Sequence, residues 1–318
     1  MRRKMTALLA LFSLGSHPPV LPGQHSVSAC KDASSLDIGA AEIGISLGSA
    51  SRWTGLRVNA RDRCLDRVNG LNLTLWTPGN PVGGTVNGLA LGLIAPRAAR
   101  LRGLSIGIAG VLPEREAAGI TIGGLGVVSE GRLRGVSVGL LGVVSEGRAD
   151  GVSIAGLGLV PEGGATGFNL GGLGVVSEGP LSGVNLAGLG IVAERRVSGI
   201  NLAGLGVVSE EAIQGASAAL LGLVSERAIS GVSISGIGVI SGERVSGITA
   251  AIATIDTRDL DGLAVAGWNR VRRRQRGLTI GLFNQAEELN GVQVGLINFA
   301  GNQHGLLRWT PILNLHFD

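Results

Sequence analysis

The sequence predicts an all-β protein: tandem repeats of about sixteen residues stacked as a β-solenoid. Three observations carry this. The chain is glycine-rich yet hydrophobic, a glycine-led motif recurs at a fixed stride, and aliphatic and small polar residues alternate within each repeat.

Glycine accounts for 55 of the 318 residues, while 45% of the chain is hydrophobic and 16% charged. That is more than double the ordinary glycine usage of about 7%. Glycine loses the most backbone freedom on folding, so such enrichment marks geometry that demands it. A disordered glycine-rich linker would be polar, which this chain is not. Collagen is excluded by scarce proline and the absence of a Gly-X-Y triplet. A helix would lose about 1 kcal/mol at every interior glycine, so a helical array is excluded as well.

The motif Gly-Φ-x-Φ, with Φ aliphatic, begins at Gly103 and returns every sixteen residues at Gly119, Gly135, Gly151, Gly167, Gly183, Gly199, Gly215, Gly231 and Gly247. Looser copies lead in at Gly55, Gly70 and Gly88, and follow at Gly262, Gly277, Gly291 and Gly305. With the motif glycine as position 1, positions 2 and 4 are aliphatic around Ser, Asn or Thr at 3, which is strand alternation. Position 7 is nearly always Leu, 9, 10 and 15 are apolar, and Ser-Glu-x-x at 11 to 14 reads as a polar turn. Glycine concentrates at 1, 6 and 8; the position-8 glycines, Gly190, Gly206 and Gly222 among them, are expected at a constrained turn, with tight backbone approach or positive φ.

An up-and-down antiparallel meander or barrel competes with the solenoid, because a ten-residue strand plus a turn also fits the period and the length suits an outer-membrane barrel. Aromatic girdles are missing, however: the array's centre has Phe168 alone. The cost falls on the solenoid at position 12, where Glu114, Glu130, Glu146, Glu162, Glu178, Glu194, Glu210 and Glu226 would stack. Like charges at that spacing repel by about 1 kcal/mol per pair in a water-like dielectric. Arg115, Arg132, Arg148, Arg195 and Arg227 offset part of this.

The remaining elements follow in chain order. Residues 1–29 read as a secretory signal: Arg2, Arg3 and Lys4 precede an apolar run, Met5 to Gly15, that is too short to span a membrane. Val27-Ser28-Ala29-Cys30 suits peptidase cleavage after Ala29, the favoured reading, or a lipobox with Cys30 lipidated. Cys30 and Cys64 either pair or stand as isolated thiols. Residues 30–54 are a lead-in or cap, 55–305 the array, and 306–318 a capping strand in which Trp309, Pro311, Leu313, Leu315 and Phe317 alternate. After the signal no apolar run of about twenty residues exists, so no transmembrane helix is expected.

The last units, Gly277-LTIGLFNQAEELN and Gly291-VQVGLINFAGNQH, carry a GLxIGLxN pattern with Asn269, Asn284 and Asn298 at position 8. Over residues 262–318 the chain resembles uncharacterised surface-repeat proteins of spirochaetes and other Gram-negative bacteria. The resemblance implies an envelope or surface location and brings no catalytic residues.

Enzymatic chemistry finds little support. Ser46, Ser105 and Ser137 sit in Gly-x-Ser-x-Gly, the hydrolase elbow pattern, but the repeat itself generates it. The one histidine base for a triad beyond the signal would be His304 or His316. No phosphate loop or zinc spacing occurs. The glutamate column is the one candidate cation edge, yet hard cations want about six to eight oxygens and each unit supplies few. Arg270, Arg272, Arg273, Arg274 and Arg276 form the densest charge run, read either as contact with anionic envelope lipid or polysaccharide or as a solvated turn. No cofactor, metal or nucleic acid is expected. The function expected is an exported, non-catalytic structural or adhesive repeat protein of the bacterial envelope; an outer-membrane barrel is the alternative, and a hydrolase a distant third.

Overall fold

The computed structural model describes residues 34–62, 65–77 and 83–317. The signal segment, Cys30 and Cys64 lie outside them. The described chain is a parallel β-solenoid of about 14 turns. The antiparallel meander and barrel are not formed: between the two end strands, each strand pairs in parallel with the strand one coil away, Gly183 facing Gly199 and Asn185 facing Asn201.

Each central coil contributes two strands. The longer covers positions 15 to 5, as in Leu181–Ala187, and the shorter covers positions 8 to 11, as in Gly190–Ala193. The two ladders face one another across a narrow interior. Position 9 (Val175, Ile191, Val207, Leu223) and position 15 (Leu181, Val197, Ile213, Ile229) fill it completely buried. Between them lie small residues at position 5, such as Ala187 and Ala203.

Strand alternation is present, but its sense is the reverse of an apolar-inward strand. Position 3, the polar one, points inside: Asn169, Asn185 and Asn201 are 0% exposed. Positions 2, 4, 7 and 10, the aliphatic ones, point out. Positions 15, 3 and 5 lie an even number of residues apart along one strand, so the pleat itself places them on one face, and fully buried position 15 fixes that face as the inner one. Between them position 1 has φ near +100° through the array, +103° at Gly183 and +100° at Gly199, a conformation open to glycine at no steric cost.

The expectation for position 8 is corrected here. Gly190, Gly206 and Gly222 do not have positive φ, and a Cβ on them would meet nothing closer than 3.5, 3.2 and 3.4 Å respectively. The constrained sites are positions 1 and 6: a Cβ on Gly199 would lie 2.0 Å from the Gly183 carbonyl oxygen, and one on Gly188 the same distance from that of Gly172. Close approach occurs where the backbone turns over its predecessor, not where the short strand begins.

Position 11 also differs from its turn-like reading. Its serines are buried strand ends that pin the charged turn. Ser145 donates to the Gly131 carbonyl at 2.7 Å, Ser209 to Arg195 at 2.8 Å and Ser241 to Arg227 at 2.9 Å.

The ends depart from the period. Ile43–Gly48 already stacks in parallel on Arg52–Arg61, with Gly44 facing Gly55, so stacking starts ahead of the first motif copy recognised at Gly55. Ser35–Ala40 folds back on that strand as an antiparallel hairpin. At the other end Gly305 does not open a coil. It begins a 3-10 turn, Gly305–Arg308, after which Trp309–His316 runs antiparallel to the strand Trp268–Ala300.

Candidate functional site

Two features of the stack are chemically distinctive: a buried polar ladder and an exterior divided sharply by charge.

The ladder runs along position 3. Asn169 Nδ2 donates to Asn185 Oδ1 at 2.9 Å, Asn185 to Asn201 at 2.8 Å, and Asn201 to Ser217 Oγ at 3.1 Å. Identical amides one coil apart satisfy each other, as in stacked asparagine ladders generally. A second ladder follows position 8 in the last coils, Asn269 to Asn284 at 2.8 Å and Asn284 to Asn298 at 2.7 Å. Asn284 also donates to the Val294 carbonyl at 3.0 Å. At the N-terminal end, fully buried Arg57 pairs with Asp62 and donates to Asn72 Oδ1 at 2.8 Å, while Thr74 donates to Asp62 at 3.0 Å. A sequence signal for this cluster did exist: Arg57 and Asn72 both occupy position 3, the inward one. Nothing in the motif alone said that position 3 faces in.

The elbow serines belong to the same interior. Ser105 and Ser137 are 3% exposed, and Ser46, 0% exposed, donates to Asp37 at 2.6 Å. None presents its hydroxyl to solvent.

On the exterior, the eight coils from Gly119 to Ser241 carry no Asp, Glu, Lys or Arg at positions 1 to 11. Every charge there falls at positions 12 to 16. The position-7 residues, Leu125 through Ile237, form a ridge at the opposite corner, each between 45% and 54% exposed. Aliphatic columns flank it on both sheets: Ile120, Ile200 and Val232 at position 2, and Val128, Val208 and Ile240 at position 10 are all exposed. A shallow apolar groove of about 770 Å³ runs beside the ridge, walled by Leu170, Leu186 and Leu202 and floored by Gly172, Gly188 and Gly204. At the C-terminal end the ridge becomes aromatic, with exposed Trp268 and Phe283, and the Arg270 guanidinium stands 6.0 Å from the Trp268 ring centroid.

The opposite edge holds the glutamate column. Burial pushes the Glu162 carboxyl above its ordinary range, and Glu178 and Glu146 add repulsion. The turns beside it explain why: residues 163, 164, 179 and 180 are Gly, Gly, Gly and Pro, so no arginine is at hand. At the N-terminal end of the column Glu114 is paired, with Arg97 at 3.0 Å. Among the described residues no cluster of three or more His, Cys, Asp or Glu could hold a metal ion.

The five-arginine run lies within a strand rather than an open turn. Each member has a carboxylate partner on an adjacent coil. Arg272 meets Asp256 at 2.8 Å, Arg274 meets Glu288 at 2.8 Å, Arg276 meets Asp261 at 3.8 Å, and Arg270 meets Asp256 at 3.9 Å. Arg273 grips Asp259 through two nitrogens, Nε at 2.8 Å. The Arg273 hydrogen bonds hold the Asp259 carboxyl below its usual range against the opposing effect of burial.

No family model, curated protein or solved structure matches the chain.

Proposed function

We propose that this protein is an exported, non-catalytic structural or adhesive element of the bacterial cell envelope. One observation carries the reading: a regular exterior, aliphatic on both sheets and along one corner, with charge confined to the opposite edge. An extended surface of that kind is suited to lying against another large surface, since exposed apolar patches of such extent mark interaction sites. The basic, apolar leader at residues 1–29 and the GLxIGLxN resemblance support an envelope location. The Arg270–Arg276 run is a secondary contact for anionic lipid or polysaccharide, which would compete with Asp256, Asp259, Asp261 and Glu288 for the guanidinium groups. Fractionating cells that express the full chain tests the proposal. Recovery with the envelope supports it; recovery as a soluble cytoplasmic protein defeats it.

A further inference from the structure

We infer that the stack beds into one leaflet of a lipid bilayer, leucine corner downward and glutamate edge in water. This rests on the envelope reading above and names the surface that the apolar exterior meets.

Four features favour lipid over a second protein. The first is coverage. Apolar columns occupy position 2 on one sheet, position 10 on the other, and position 7 at the corner joining them. A second copy packing face to face covers one of these sides; a fluid hydrocarbon layer covers all three. The second is charge. The eight central coils place none of it on those sides, so no ionised group has to enter hydrocarbon.

The third feature is depth. From position 7 to position 12 the chain advances five residues, about 16 Å at strand rise. Half of a hydrocarbon core about 30 Å thick is about 15 Å. With the ridge at the mid-plane, the glutamates reach the headgroups. The fourth is backbone satisfaction. Backbone groups in lipid need internal partners, and turns are usually where they lack them. Here the corner turn is itself a ladder. The Leu157 N–H donates to the Leu141 carbonyl at 2.9 Å, Leu173 to Leu157 at 2.7 Å, Leu189 to Leu173 at 2.7 Å and Leu205 to Leu189 at 2.6 Å. The neighbouring glycines are paired too, as Gly172 is to the Ala155 carbonyl at 2.9 Å. The ridge runs about 34 Å over its eight coils at ~4.8 Å per coil.

The test is flotation of the full chain, as recovered from cells, with neutral phosphatidylcholine vesicles at low and at about 1 M salt. Two variants accompany it: Leu173→Gln, Leu189→Gln and Leu205→Gln together on the ridge, and Glu178→Gln, Glu194→Gln and Glu210→Gln together on the edge. Wild type and the edge variant should float at both salt levels. The ridge variant should partition at least about 100-fold more weakly, the loss expected for three half-buried leucines replaced by amides, with its circular-dichroism spectrum unchanged. A leader or acyl group at the N-terminus is common to all three proteins, so equal flotation of the three overturns the inference. Binding restricted to anionic vesicles and abolished by salt overturns it in favour of the arginines. Dimers in buffer with no vesicle binding overturn it in favour of a second copy. If the folded ridge variant cannot be obtained, quenching of wild-type tryptophan by acyl-brominated lipid replaces it: Trp268 and Trp76 are exposed and should be quenched, and unquenched fluorescence overturns the inference. A cytoplasmic protein that still floats would defeat the envelope reading alone; an envelope protein that fails to float defeats only the bilayer.

Discussion

Gly199 lies directly over Gly183, so closely that a Cβ on Gly199 would sit 2.0 Å from the Gly183 carbonyl oxygen, at a backbone φ of +100°. Gly215 repeats the relationship over Gly199 at 2.2 Å. This column lets the backbone of each coil close directly on the one before it. Gly199→Val should destabilise the stack by more than about 3 kcal/mol, combining a disfavoured φ with a backbone clash. Gly190→Ala, where space is open, should cost less than about 1 kcal/mol. Thermal melts of the two variants decide the matter, and equal losses would refute the assignment.

The asparagine ladder makes a second prediction. Asn185→Ala strands the Asn169 amide and deprives Asn201 of its donor, both fully buried. A buried polar group left unsatisfied costs about 1–3 kcal/mol. Asn185→Ser should lose less, because the chain itself continues the ladder with Ser217, which accepts from Asn201 at 3.1 Å. Chemical denaturation of both variants orders them; an Asn185→Ala variant as stable as wild type would mean that the ladder carries no stability.

Glu162 yields a pH prediction. Its carboxyl is raised above the ordinary value of 4.5, so the native state binds more protons than the unfolded chain across the interval between the two. Its contribution to stability therefore improves as pH falls through the raised folded value and is complete below the unfolded one. Glu162→Gln should melt higher than wild type at pH 7, with the gain vanishing in acid and shrinking as salt screens Glu146 and Glu178. A variant that melts lower at every pH would show that Glu162 has a favourable partner.

Asp259 behaves in the opposite sense. Its carboxyl is held low by Arg273, so its contribution is present above the unfolded carboxylate range and lost as pH falls through the folded value. Arg273→Gln should lower the melting temperature at pH 7, and only modestly, because the Arg273 side chain is half exposed to screening solvent. That difference should disappear at acid pH. A pH-independent difference would assign Arg273 a packing role instead.

The arginine run illustrates why a charge cluster is hard to interpret in one dimension. Five cations within seven residues look unneutralised along the chain, yet Asp256, Asp259 and Asp261 stand one coil earlier and Glu288 one coil later. The stride that brings them together was visible; the strand pairing that closes each ion pair was not.

The period and the all-β class were settled by the sequence alone: a motif repeated at sixteen-residue intervals over ten glycines sets the unit, and a glycine-led unit excludes helix. Parallel stacking was the preferred reading against an antiparallel meander or barrel that fits the same period, and the strand pairing of the structure decided it. Which face of each strand lines the interior was decided by the tertiary structure. An alternation of period two is symmetric with respect to inside and outside, so Val184-Asn185-Leu186 reads equally well with Asn185 exposed or buried. The tie is broken by packing: Leu181, four residues before Asn185 on the same strand, is fully buried, and Asn185 takes that same face, where its amide bonds to its copies above and below and Val184 and Leu186 are left on the outer face.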